Sequence, residues 1–189
     1  MSLEAFAVST GAVFLGEIGD KTQLLALLLA SRYRRPVTII VGILLATLAN
    51  HALAVWAGQS LHGLIDPRWL GGIIGLSFIA VGLWALVPDT LDEKDAAPAT
   101  GNVLWIASFS FFIAEIGDKT QLATAVLAAR YDQFLPVLSG TTTGMLLADV
   151  PAVLVGGALA TRLPLKPIRW AAAGLFLVLG VASLLLHGR

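Results

Sequence analysis

A seven-residue segment that carries three charged side chains occurs twice in this sequence. Glu17-Ile-Gly-Asp-Lys-Thr-Gln23 returns unchanged, 98 residues later, as Glu115-Ile-Gly-Asp-Lys-Thr-Gln121. Each copy offers carboxylate, hydroxyl and amide oxygens and contains no Cys, Met or His. Oxygen donors of this kind suit Mn²⁺, Ca²⁺ or Mg²⁺ and argue against Cu⁺ or Zn²⁺. Each segment is therefore half of a candidate cation site.

The charges of the two segments do not balance. Their net charge is −2, from the acids Glu17, Asp20, Glu115 and Asp118 and the bases Lys21 and Lys119. One divalent cation would neutralise this charge, and so would two protons, so the pattern favours the exchange of one for the other. An alternative is that each glutamate forms an ion pair with the lysine four residues later. That alternative leaves Asp20 and Asp118 uncompensated.

The segments lie in a strongly apolar chain. Of its 189 residues 57% are apolar and 13% charged, whereas soluble domains have about 25% charged residues. The formal net charge is zero, so there is no basic excess for a nucleic-acid partner. The sequence has no Cys, no Ser-His-Asp set, no His-rich cluster and no nucleotide-binding loop, so we do not expect an enzyme.

Six stretches are apolar enough to cross a bilayer, which takes about 20 residues of helix. They predict six transmembrane helices at about 5–31, 36–60, 69–87, 102–129, 134–160 and 168–187. Glu17 and Glu115 lie near the middle of the first and fourth spans. Ionisable groups at that depth cost several kcal/mol each and are generally functional.

The duplication extends beyond the charged segments. Of the 17 residues from Glu17 to Tyr33, 12 are identical with their counterparts from Glu115 to Tyr131. We therefore predict two three-helix repeats, residues 1–87 and 102–189, joined by an acidic linker at 88–101. Because three is odd, the second repeat would enter the membrane from the opposite side. The expected all-α fold is an inverted repeat, an architecture that many secondary transporters use.

Helix geometry decides which residues of each segment face the site. On a continuous helix Glu17, Asp20 and Lys21 share one face, whereas Thr22 points away from it. Thr22 and Thr120 would reach the site only if the backbone loosened at the preceding glycines, as it does in the discontinuous helices of transporters.

Three further polar residues lie at membrane depth. Asp149 is in the fifth span, and the 98-residue shift places it opposite His51, which follows Asn50. Asp149 is a candidate cation ligand or proton-relay carboxylate. Asn50 and His51 are candidates for the same site, and an interhelical hydrogen bond is the alternative for both.

Loop charges predict the orientation in the membrane. With the N-terminus outside, cytoplasmic loops hold seven Lys and Arg residues and the outer side holds three. The positive-inside rule then favours both termini outside. The sequence starts without the basic segment of a cleavable signal peptide, so we expect the first helix to stay in the mature protein.

Two copies of Glu-(apolar)-Gly-Asp-(Lys/Arg)-(Ser/Thr) in a duplicated six-span chain resemble the Gdt/MneA-type family of cation exchangers. This family includes Golgi manganese and calcium transporters of eukaryotes and manganese exporters of bacteria, and the resemblance covers essentially the whole chain. It implies that the two motifs face each other as the cation site of a proton-coupled transporter. The residues implied are Glu17, Asp20, Lys21, Thr22, Glu115, Asp118, Lys119 and Thr120, to which the repeat adds Gln23 and Gln121.

The short linker resembles that of the compact bacterial members, so we expect a bacterial inner membrane and manganese efflux. The expected partners are Mn²⁺ or Ca²⁺, protons and the lipid bilayer, with no resident cofactor and no nucleic acid. Two other hypotheses use the same acidic cluster. A channel would pass the cation without pH dependence, and a membrane scaffold would not transport it at all.

Overall fold

The computed structural model describes residues 2–88, 101–155 and 165–187. These residues form eight α-helices and no β-strand, so the predicted all-α class is confirmed. The helices are α1 (Leu3–Glu17), α2 (Lys21–Tyr33), α3 (Pro36–Leu64), α4 (Pro67–Trp84), α5 (Val103–Glu115), α6 (Lys119–Tyr131), α7 (Phe134–Val155) and α8 (Leu165–His187). Most of the predicted linker at 88–101 and the end of the predicted span 134–160 lie outside the described residues.

The helices begin where the turn residues predict. α3 and α4 start at Pro36 and Pro67, because the missing N–H of proline is harmless in the first turn. The side chain of Asp66 caps α4 by accepting a hydrogen bond of 2.9 Å from the N–H of Arg68. The Arg68 guanidinium also donates to this carboxylate, and these hydrogen bonds hold the pKa of Asp66 below its ordinary value.

The two motif spans are not continuous helices, which corrects the prediction of single helices over 5–31 and 102–129. α1 ends at Glu17 and α2 begins at Lys21, while α5 ends at Glu115 and α6 begins at Lys119. A glycine with positive φ lies in each break, Gly19 at +80° and Gly117 at +75°. Glycine adopts this left-handed conformation without the steric penalty of a side chain, so it ends the helix there.

Four helices of the described ranges are long and apolar enough to cross a membrane: α3, α4, α7 and α8. They correspond to the predicted spans at 36–60, 69–87, 134–160 and 168–187. The other two predicted spans are each divided between two shorter helices. The chain is therefore a membrane protein by its apolar helices, and the count of six crossings stays a prediction.

The helices of the two halves interlock. α1 and α2 pack against α7, and the equivalent helices of the second half, α5 and α6, pack against α3. α4 packs against its counterpart α8. Each broken span is thus held mainly by the long helix of the opposite half, which brings the two breaks towards each other.

Glycines permit two of these close contacts at equivalent positions. A Cβ atom on Gly140 of α7 would lie 2.6 Å from the carbonyl oxygen of Phe6 in α1. A Cβ atom on Gly42 of α3 would lie 2.6 Å from the Cβ of Ala107 in α5. Both distances are far below van der Waals contact, so neither helix pair could pack as closely with a larger residue at these positions.

Candidate cation site

Each break places a glutamate and an aspartate on opposite sides of one tight turn. Glu17 is the last residue of α1, and Asp20 occupies the N-cap position of α2 in an extended conformation. Glu115 and Asp118 hold the same positions in the second half. Neither aspartate side chain caps its own helix, so both carboxylates are directed elsewhere.

A glutamine closes each turn from the following helix. The N–H of Gly19 donates to Oε1 of Gln23 at 2.9 Å, and the N–H of Gly117 donates to Oε1 of Gln121 at 2.8 Å. These bonds satisfy backbone donors that the helical hydrogen-bond ladder leaves open. The glutamines, predicted as cation ligands, therefore also stabilise the breaks.

The two motifs meet through ion pairs that cross from one half to the other. Nζ of Lys119 lies 2.7 Å from Oδ1 of Asp20, and Nζ of Lys21 lies 3.5 Å from Oδ1 of Asp118. The motifs therefore face each other. Each lysine is paired with the aspartate of the opposite motif. The alternative drawn from the sequence was different, because it paired each lysine with the glutamate four residues earlier in the same motif.

The two glutamates have no such partner. Glu17 and Glu115 are fully buried, and among the described residues none of their four carboxylate oxygens has a hydrogen-bond partner. The acidic side chains of Glu115, Asp20, Asp149 and Asp118 lie near Glu17. Buried carboxylates are costly unless they are neutralised by a proton, an ion pair or a metal.

Asp149 and His51 occupy equivalent positions beside the two motifs and are both fully buried. Nε2 of His51 lies 3.8 Å from a carboxylate oxygen of Glu115. Both oxygens of Asp149 are without a hydrogen-bond partner in the part of the chain that is described. The structure thus brings both residues to the motifs. The carboxylate of Asp149 lies beside the first motif, and the imidazole of His51 lies beside the second.

The remaining predicted residues support the turns. Asn50 accepts from Nε2 of Gln121 at 3.3 Å and donates to the carbonyl oxygen of Phe112 at 3.0 Å, so the interhelical hydrogen bond considered as its alternative role is present. Neither ring nitrogen of His51 has a hydrogen-bond partner among the described residues, so that alternative is not seen for His51. In the other half, Nε2 of Gln23 donates to the carbonyl oxygen of Ala148 at 3.0 Å. Sequence reasoning missed both carbonyls, because a backbone acceptor has no signature in the residue type.

The two threonines differ. Oγ1 of Thr120 donates to Oδ2 of Asp118 at 3.1 Å. Thr22 is buried, and its hydroxyl has no partner among the described residues. Both threonines lie in the first turn after the break, and Thr120 reaches the neighbouring aspartate there, as expected for a broken helix.

Within the described ranges, no three His, Asp or Glu side chains are grouped so that they could hold a metal ion. In the crossed pairs, a lysine instead contacts one oxygen of each aspartate. The carboxylates of both motifs are buried, and those of the two aspartates are paired with ammonium groups.

The surroundings of the two breaks are unequal. A cavity of about 440 Å³ between α3 and α6 reaches Gly117, Asp118 and Gln121, and it is otherwise lined by apolar residues. A Cβ atom on Gly117 would meet nothing within 4 Å. A Cβ atom on Gly19 would lie 2.6 Å from a side-chain carbon of Leu165 in α8. The turn of the first motif is therefore covered by α8, whereas the equivalent side of the turn in the second motif is open.

Comparison with known proteins identifies relatives along the whole chain. The family described as "Divalent cation/proton antiporter GDT1" matches residues 5–93 and 103–188, one segment for each half. A Vibrio cholerae protein named "Putative manganese exporter" is 50% identical over 183 residues, which cover 96% of this chain and 90% of that protein.

More distant relatives come from eukaryotes. "GDT1-like protein 5" of Arabidopsis thaliana is 30% identical over 97% of this chain and 96% of its own length. "Divalent cation/proton antiporter GDT1" of Saccharomyces cerevisiae is 23% identical over 93% of this chain and 81% of its own length. No solved structure matches the chain. The duplicated motif, the matches over both halves and the similarity to a manganese exporter confirm the resemblance, and the chain belongs to the GDT1 family of divalent cation/proton antiporters, which are transporters and not enzymes.

Proposed function

We propose that this protein is a secondary transporter that exchanges Mn²⁺ for protons across the membrane at the two facing motifs. The proposal rests chiefly on the two buried glutamates, Glu17 and Glu115, whose carboxylate oxygens have no hydrogen-bond partner among the described residues, in motifs joined by two aspartate–lysine pairs. Ionisable groups of this kind at membrane depth mark ion pathways.

The charges of the site support a fixed exchange ratio. Lys119 and Lys21 compensate Asp20 and Asp118, which leaves the two glutamates as the uncompensated negative charges of the motifs. Asp149, the further buried acid beside the first motif, is proposed to keep its proton throughout the cycle. One divalent cation or two protons restore neutrality. A carrier that is neutral in both loaded states avoids the cost of moving net charge through a low-dielectric interior. We therefore propose one Mn²⁺ for two protons.

The donor atoms support Mn²⁺ or Ca²⁺ as the substrate. The site offers the carboxylates of Glu17, Asp20, Glu115 and Asp118, with Gln23 and Gln121 within the same turns and Asp149 beside the first motif. Carboxylate and amide oxygens suit both ions. The 50% identical relative is named for manganese, which makes Mn²⁺ the preferred assignment.

The architecture that we propose has six membrane crossings in two inverted three-helix repeats. The broken spans α1–α2 and α5–α6 would place both turns near the midplane, where discontinuous helices of transporters bind ions. Both termini would lie outside the cytoplasm, as the loop charges favour. In a bacterial inner membrane, the exchanger would work in the direction of manganese efflux.

Reconstitution in liposomes tests this function. We expect Mn²⁺ flux that is driven by an imposed pH gradient and lost in Glu17→Gln and Glu115→Gln. Asp132→Asn is the matched control, because it also removes one carboxylate but lies at an exposed C-cap where asparagine tolerates the positive φ. Mn²⁺ flux without pH dependence would indicate a channel. Folded protein that carries neither Mn²⁺ nor Ca²⁺ would refute transport and favour a scaffold.

A further inference from the structure

The two ion pairs that cross between the motifs are equivalent in sequence but not in geometry. Lys119 is 2.7 Å from Asp20, and the side chains are 7% and 0% exposed. Lys21 is 3.5 Å from Asp118, and the side chains are 24% and 2% exposed. One pair is therefore tight and buried, and the other is loose and partly accessible.

An ammonium group and a divalent cation compete for the same carboxylate. Both need the oxygen lone pairs of the aspartate, and two positive charges a few ångströms apart repel each other strongly in a poorly solvated site. The lysine head group is a compact charge on a flexible four-carbon chain, so it can leave the carboxylate without backbone movement. A lysine paired with an aspartate here can therefore neutralise that carboxylate while no transported cation is bound.

We propose that Lys21 and Lys119 are tethered counter-cations, which hold Asp118 and Asp20 until an arriving divalent cation displaces them, and that Lys21 is displaced first. This inference rests on the proposed function, because it assumes that a divalent cation binds between the motifs. It adds that the lysines compete with the divalent cation for the aspartates, and it states which lysine leaves first.

The order follows from the surroundings of the two pairs. The cavity between α3 and α6 reaches Asp118, the partner of Lys21. The other turn is covered by Leu165 at Gly19, and Asp20 beside it is 1% exposed. Because Lys21 is 24% exposed and Lys119 only 7%, an arriving cation meets the looser pair first.

Lysine labelling of the purified full chain tests this inference, because the sequence contains only four lysines, Lys21, Lys94, Lys119 and Lys166. The protein is treated with an amine-acetylating reagent at increasing Mn²⁺, and each lysine is quantified by peptide mass spectrometry. We expect the labelling rate of Lys21 to rise about threefold, which corresponds to the loss of an ion pair worth about 0.65 kcal/mol, within the range for exposed pairs. The midpoint should coincide with Mn²⁺ binding measured by calorimetry, and Lys166, which lies outside the site, should not change.

Two variants test the pairing without Mn²⁺. Asp118→Asn should raise the labelling of Lys21 to the Mn²⁺-saturated level, whereas Asp20→Asn, which also removes a motif carboxylate, should leave Lys21 as in the parent protein. Mn²⁺ binding with unchanged or reduced labelling of Lys21 would overturn the displacement mechanism. Unchanged Lys21 in folded Asp118→Asn would overturn it as well. Absence of Mn²⁺ binding by calorimetry would instead contradict the proposed function.

Discussion

The unequal ion pairs predict unequal effects of removing the two lysines on stability. Lys119→Met leaves Asp20 fully buried next to an apolar side chain, and breaking a buried pair in this way costs about 3–5 kcal/mol. Lys21→Met breaks a longer pair whose lysine is partly exposed, and solvent screening limits such pairs to about 1 kcal/mol. For a chain of this size each kcal/mol lowers Tm by about 2–4 °C. We expect a decrease in Tm of about 6–20 °C for Lys119→Met and of about 2–4 °C for Lys21→Met.

Thermal unfolding in one detergent and without divalent cations measures this difference. The double variant Asp20→Asn/Lys119→Met is the internal control, because removing both charges leaves no buried unpaired ion and should recover most of the lost stability. Equal losses for the two lysine variants, or a larger loss for Lys21→Met, would refute the assignment of a tight and a loose pair.

Three further predictions concern the turns, the helix contacts and competition at the site. Gln121→Leu removes the acceptor for the N–H of Gly117, worth about 1 kcal/mol, and should slow Mn²⁺ flux about fivefold, whereas Gln59→Leu at a partly exposed position away from the turns should not. Gly140→Val should prevent α1 and α7 from packing and abolish folded protein in size-exclusion chromatography, while Gly72→Val, which meets no neighbour, should not. Mn²⁺ binding measured by calorimetry should weaken as the pH falls, because protons and Mn²⁺ compete for the same carboxylates; affinity that does not change with pH would count against a shared site.

The sequence was sufficient to identify the two motifs that meet at the candidate site, because duplicated acids at the centre of apolar spans have few explanations other than ion binding. It also identified the condition for Thr120 to reach the site, a break at Gly117, since glycine is the residue that tolerates positive φ. The sequence alone did not predict that the helix breaks at this glycine, because an isolated glycine also occurs within helices.

The crossed pairing could not be predicted from sequence. Helical spacing makes the lysine four residues after Glu17 its natural partner, and only the turn at Gly19 redirects Lys21 to Asp118. The asymmetry of the two halves was equally hidden. It depends on Leu165, an apolar residue without any functional signature, and on the way α8 packs near the first turn.

The ratio of protons to Mn²⁺ distinguishes an exchanger with two uncompensated glutamates from a channel or a scaffold. Proteoliposomes that contain a pH dye and a Mn²⁺ dye, with the membrane potential clamped by a potassium ionophore, report both ions in the same vesicles. Our account predicts two protons moved against each Mn²⁺, a Mn²⁺ rate that does not depend on the clamped potential, and loss of both signals in Glu17→Gln and Glu115→Gln. Mn²⁺ movement without proton countermovement, or a rate that follows the potential, would contradict the account.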